Sequence, residues 1–341
     1  MSVIDLEQID TANRASGVGH GQSGHQSNAR PPVRGLTRRG LQITLGALWI
    51  LDGLLQLQSF MFTRGFASRV IAPSAVGQPV WVSWPVLRAA HLIGAHPLAA
   101  NGTFAAIQIL LGGGLLVRRT VQPAIVASVL WASGVWFVGE GLGGLAGGSA
   151  NLLAGAPGAA LLYGVLAVAA WPTGRTDNGT DRVASWFPKA WAALWLGLGL
   201  FALLPANRST ASVVAQIHTS EDSAPGWLRQ VDGVMVSMAH DGGGTIVVML
   251  AVIPVAIGLL GLGTVRMRHV SAWAAVAVAL ATWAVGQSFG ALASGTATDP
   301  NTGPVLVVAA LALFGMTGAT AGLRSRSTDP GHLVTVPISS Q

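Results

Sequence analysis

The chain has 341 residues, 51% hydrophobic and only 9% charged, with a formal net charge of +6 and no cysteine. So few charges cannot cover a soluble particle of this length, whereas lipid would cover most of an integral membrane protein. The lack of cysteine excludes disulfide exchange, thiolate catalysis and Cys-ligated zinc or iron–sulfur clusters within the chain.

Residues 1–40 are rich in Gly, Ser, Gln, Asn and Arg and carry no apolar core, so they read as a disordered cytoplasmic tail. Eight apolar stretches follow, at about 41–60, 98–117, 121–140, 154–171, 189–205, 245–265, 270–289 and 304–322. Each is close to the roughly 20 residues that cross a bilayer as a helix. The expected fold is therefore all-α, a polytopic membrane protein with eight transmembrane helices. With the N-terminus in the cytoplasm, fourteen of the nineteen basic residues fall on the inside. That asymmetry places both termini in the cytoplasm and the protein in the cell membrane. It also accounts for the basic excess without nucleic acid as a partner.

The series occurs twice. Trp136 to Pro157 returns without a gap as Trp283 to Pro304, with nine of 22 positions identical at an offset of 147; Leu48–Leu55 answers to Leu194–Phe201 at an offset of 146. Two four-helix repeats are expected, 41–172 and 189–322, joined by a cytoplasmic linker at 173–188 and followed by a cytoplasmic tail at 323–341. Four spans is an even number, so the two repeats insert with the same orientation and are parallel. Each has a long external loop, about 61–97 and 206–244, with a helical stretch that could cap its bundle: WPVLRAAHLIGAH and GWLRQVDGVMVSMAH.

Phe104 to Gly134, FAAIQILLGGGLLVRRTVQPAIVASVLWASG, combines a polar residue, a Gly/Leu run, an arginine turn and a small-residue helix. It resembles the second and third helices of the DoxX/MauE-like family of four-helix membrane proteins, and LQITLGALWILDGLLQL resembles that family's first helix. The resemblance implies a tandem duplication of the family's unit. It further implies a redox-linked subunit that binds quinone or lipid beside a redox partner subunit.

Ionisable groups at membrane depth are costly and face the protein interior or a water-filled cavity. Asp52 lies near the middle of the first span and Gln56 four residues on, on the same helical face. Gln108 on the returning helix lies at similar depth, and Glu140 closes the third span. In the second repeat Asp52 aligns with Leu198 and Glu140 with Gln287. These five positions (Asp52, Gln56, Gln108, Glu140 and Gln287) are the candidate ligand-binding or proton-coupled residues, with a pocket in the outer half of the first repeat. The plainer alternative is that the carboxyl groups are hydrogen-bonded packing residues, since polarity without charge serves at Gln287.

His91, His96, Met235, Met238 and His240 lie on the outer side, where imidazole and thioether could suit copper, but none has a recognised metal spacing. No histidine lies within a span, so haem is not expected. Gly141 to Ala146 matches G-x-G-x-x-A only formally, because it follows a membrane helix and not a strand. Three functions compete: a quinone- or lipid-binding redox-linked subunit, a proton- or cation-coupled small-solute transporter, and a non-catalytic assembly or scaffold protein in the bilayer. Catalysis by the chain alone is not expected, because the spans supply no nucleophile–base set.

Overall fold

The computed structural model describes residues 35–172, 183–221, 226–242 and 244–326, and among them every regular element is helical. Residues 1–34 of the expected N-terminal tail, most of the linker and residues 327–341 of the expected C-terminal tail lie outside the described residues. The helices are α1 (Arg38–Leu55), α2 (Val80–Ala95), α3 (Pro97–Leu116), α4 (Val121–Gly134) and α5 (Ala159–Ala169). They continue as α6 (Phe187–Ala202), α7 (Thr210–Glu221), α8 (Gly226–Gly242), α9 (Gly244–Leu262), α10 (Val265–Val285) and α11 (Thr302–Arg326).

Four helical stretches are long and apolar enough to cross a membrane: Pro97–Leu116, Val121–Gly139, Gly244–Leu262 and Val265–Val285. This is the composition of an integral membrane protein. Each of the other four expected spans also holds a helix. One of them, α5, has only 11 residues, which is about 16 Å at 1.5 Å per residue against a hydrocarbon core of about 30 Å. The reason is local: residues 141–158 form a short 3-10 segment, turns and extended backbone in place of α-helix.

Local chemistry sets the helix ends. Thr37 caps α1 by accepting from the Gly40 amide at 3.0 Å. Arg39 donates to the Leu115 and Leu116 carbonyls, which α3 leaves without intrahelical donors at its C-terminus. The side-chain amide of Gln42 donates to Ala170 O at 2.8 Å, fastening α1 to the end of α5.

α1 packs on α3, α3 on α4, α4 on α5, and α5 back on α1. In the second half α6 packs on α9, α9 on α10 and α10 on α11, and α5 meets α11 across the centre. The tightest crossings rest on glycine. A Cβ on Gly112 would stand 2.5 Å from the Gly46 carbonyl oxygen, and one on Gly53 would stand 3.0 Å from that of Ala105. The α6–α9 crossing repeats this with Gly258 against the Ala192 carbonyl at 3.1 Å and Gly199 against that of Ala251 at 2.7 Å. All four pairs of equivalent positions are 146 residues apart.

The turns after α4 and α10 also share a conformation. Gly141, Leu142, Gly143 and Gly144 are left-handed, with φ of 54°, 58°, 60° and 79°, and so are Ser288, Phe289, Gly290 and Ala291, with 43°, 55°, 66° and 53°. Trp136 Nε1 then donates to the Pro157 carbonyl at 2.7 Å, and Trp283 Nε1 to that of Pro300 at 2.7 Å. The ungapped match therefore holds through the turn and not through the approach to the next helix. In space Pro157 corresponds to Pro300 and not to Pro304, because the second connection is shorter.

The connection between α1 and α2 folds back over the first half of the chain. Short helical turns between Ser59 and Ala75 pack against α2 through Met61, Phe66, Ile71, Val82, Val86 and Ile93, all buried. This layer roofs the space enclosed by α1, α3, α4 and α5.

Candidate functional site

Beneath that roof lies a cavity of about 430 Å³. Asp52, Gln56, Gln108 and Glu140 all line it. Helical spacing puts Asp52 and Gln56 on one face of α1 with Trp49, and the glycine crossing brings Gln108 of α3 beside them. The structure thus brings together four of the five candidate residues. The fifth, Gln287, lines a separate hollow of about 330 Å³ with Gln216, Thr298, Asp299 and Asn301.

Two wall residues were not singled out from the sequence. Tyr163 of α5 donates its hydroxyl to Asp52 Oδ1 at 3.3 Å and meets Trp49 edge-on, with ring centroids 4.7 Å apart. It is the chain's only tyrosine and stands in an otherwise apolar helix, a signal that was available. Asp299 comes from the turn before α11, in the second half of the chain, and lines both hollows. Nothing in its turn sequence, TDPNTGP, foretells that placement. Its carboxylate accepts from the Asn301 amide at 2.7 Å and the Thr298 hydroxyl at 2.8 Å. Burial nonetheless pushes the carboxyl above the usual aspartate range, because desolvation outweighs those two hydrogen bonds.

Glu140 has a second duty. Its Oε1 accepts from the Ala160 amide at 3.0 Å, in the first turn of α5, where amides lack intrahelical acceptors. Gln287 does the equivalent work on α11, accepting from the Thr302 hydroxyl at 3.1 Å and the Gly303 amide at 3.3 Å. Holding the next helix's N-terminus therefore requires an acceptor at this position, not a charge.

What remains is a set of buried polar atoms, carried by side chains that line the cavity, with no partner among the described residues. Gln56 Oε1, Gln108 Oε1 and Glu140 Oε2 are unpaired acceptors, and the indole N–H groups of Trp49 and Trp131 are unpaired donors. Gln56 and Gln108 are only 4% and 5% exposed. A buried polar group without a partner costs about 1–3 kcal/mol, so several on one wall call for a compensating occupant. The rest of the wall is apolar, including Phe66, Ile71, Ile93, Phe104 and Val138. A polar pole in an apolar chamber is the build of a small-molecule site. In the second half the pole is missing: Leu198 stands where Asp52 does and faces an apolar groove.

His91 and His96 are exposed at α2 and its end. Met235 packs against the apolar cluster of Val213, Ile217 and Val247, whereas the side chains of Met238 and His240 lie outside the described residues. Among the described residues no three His, Cys, Asp or Glu side chains are grouped to hold a metal ion. No family model matches the chain, and neither a curated protein nor a solved structure was found to match it.

Proposed function

We propose that the chain is a multi-pass protein of the cell membrane, with eight spans in two parallel four-helix repeats and both termini in the cytoplasm. Its first repeat binds a small molecule in the cavity around Asp52, and the second repeat braces that site and lends it Asp299. The observation that carries this reading is the group of buried, unpartnered polar atoms on side chains that line the cavity, above all Gln56 Oε1 and Gln108 Oε1. The matched glycine crossings and left-handed turns support the duplication, since they recur at offsets of 146 and 147 with the same geometry.

A second reading is the quinone-binding, redox-linked subunit that the DoxX/MauE-like resemblance implies. The unpaired indole N–H groups of Trp49 and Trp131 favour it, because they would donate to carbonyl oxygens. Purification in native lipid followed by mass spectrometry of bound small molecules tests both. The expected result is a bound molecule whose occupancy falls at least about tenfold in the Gln56→Leu/Gln108→Leu variant. If that molecule is a quinone, the second reading is correct. Protein that carries nothing, or whose cargo ignores both substitutions, defeats both readings.

A further inference from the structure

The cavity wall reaches the surface at three described positions. Leu92 on α2 and Leu130 on α4 line the cavity and are 60% and 70% exposed, and Gly134, one turn beyond Leu130, is exposed as well. Leu130 is the middle residue of the candidate span Val121–Gly139. An opening at that depth faces hydrocarbon, not water. The outer surface of α2 agrees, since Trp81, Trp84, Leu87 and Leu92 are all exposed, as on a helix lying at the lipid interface. Asp52, Glu140 and Asp299 bring three carboxyl groups to this one chamber, and no described Lys, Arg or His lines it.

We propose that the cavity is filled sideways from the outer half of the bilayer, through a portal between Leu92 and the Leu130–Gly134 face, by an amphiphile with a protonated amine head. This rests on the small-molecule reading above and adds the route and the chemical class. The alkyl part lies along Phe104, Val135 and Val138, and the ammonium donates to the acceptors that have no protein partner. Buried carboxylates without a basic neighbour favour a cationic guest and repel a carboxylate of the same chain length.

The test uses the full chain in nanodiscs and a dodecylamine carrying a diazirine on its chain. On irradiation the label is expected on peptides containing Leu92 to Trp131, and plain dodecylamine is expected to displace it. Dodecanoate at about ten times the concentration should not displace it, and Asp52→Asn should cut labelling about tenfold. A Leu92→Cys/Leu130→Cys variant, otherwise free of cysteine, should lose labelling once bridged by a bismaleimide, relative to the same variant before bridging. Size-exclusion chromatography checks that each variant remains folded. Competition by dodecanoate equal to that of dodecylamine overturns the head-group assignment, and labelling that survives bridging overturns the route. In either case a native cargo that still depends on Gln56 and Gln108 leaves the small-molecule reading standing, and its absence removes both.

Discussion

Replacing Glu140 separates its two duties. The Ala160 amide, 3.0 Å from Glu140 Oε1, is one of the donors that α5 cannot satisfy internally, and α5 has only 11 residues over which to spread the loss. Glu140→Ala removes the acceptor and leaves a buried amide unpaired, at a cost of about 1–3 kcal/mol. Glu140→Gln keeps an amide oxygen in the same place. It forfeits only the attraction between a carboxylate and the helix dipole, about 0.3–1 kcal/mol when ionised. The reciprocal change is not symmetric. Gln287 Nε2 donates to the Leu152 carbonyl at 3.3 Å, so Gln287→Glu loses that bond and turns an acceptor toward an acceptor. Its expected cost is therefore above that of Glu140→Gln, about 1–3 kcal/mol. Reversible unfolding in mixed detergent, followed by tryptophan fluorescence, measures all three. Equal stability of Glu140→Ala and wild type, or equal losses in Glu140→Gln and Glu140→Ala, would refute the capping argument.

Gly112→Ala should destabilise more than Gly258→Ala in the same unfolding assay, because its methyl would meet the Gly46 carbonyl at 2.5 Å whereas the other meets that of Ala192 at 3.1 Å. Both should cost of the order of 1–3 kcal/mol by overpacking, and a neutral Gly112→Ala would contradict the close crossing. Because folding raises the Asp299 pKa, its ionisation opposes folding: the unfolded carboxylate ionises at about pH 3.9 while the folded one still holds its proton. Stability should therefore fall as pH rises from about 4 through the elevated folded value, and Asp299→Asn should flatten that slope; an unchanged slope would rule the aspartate out as its source. In the proposed topology an impermeant thiol reagent applied to intact cells should label Ala206→Cys and spare Gln122→Cys, both at exposed positions. The reverse pattern would invert the orientation.

The sequence by itself determined the helical, membrane-type composition, the internal match and the polar positions of the first half. Those follow from local rules: charge density decides what must be covered by lipid, and the helical period puts Asp52 and Gln56 on one face whatever surrounds them. Gln108 was legible because a returning helix of known length fixes depth. Tertiary structure alone decided the rest. The meeting of Trp136 with Pro157, and of Trp283 with Pro300, fixes how each loop re-enters, and a loop's path depends on contacts with no period in sequence. The same loop carries Asp299 from the second half into the first half's chamber, and the folded layer over it adds Leu92 to a wall that Leu130 also lines. Periodicity acts within one helix, whereas a site's third wall is set by whichever element packing brings against it.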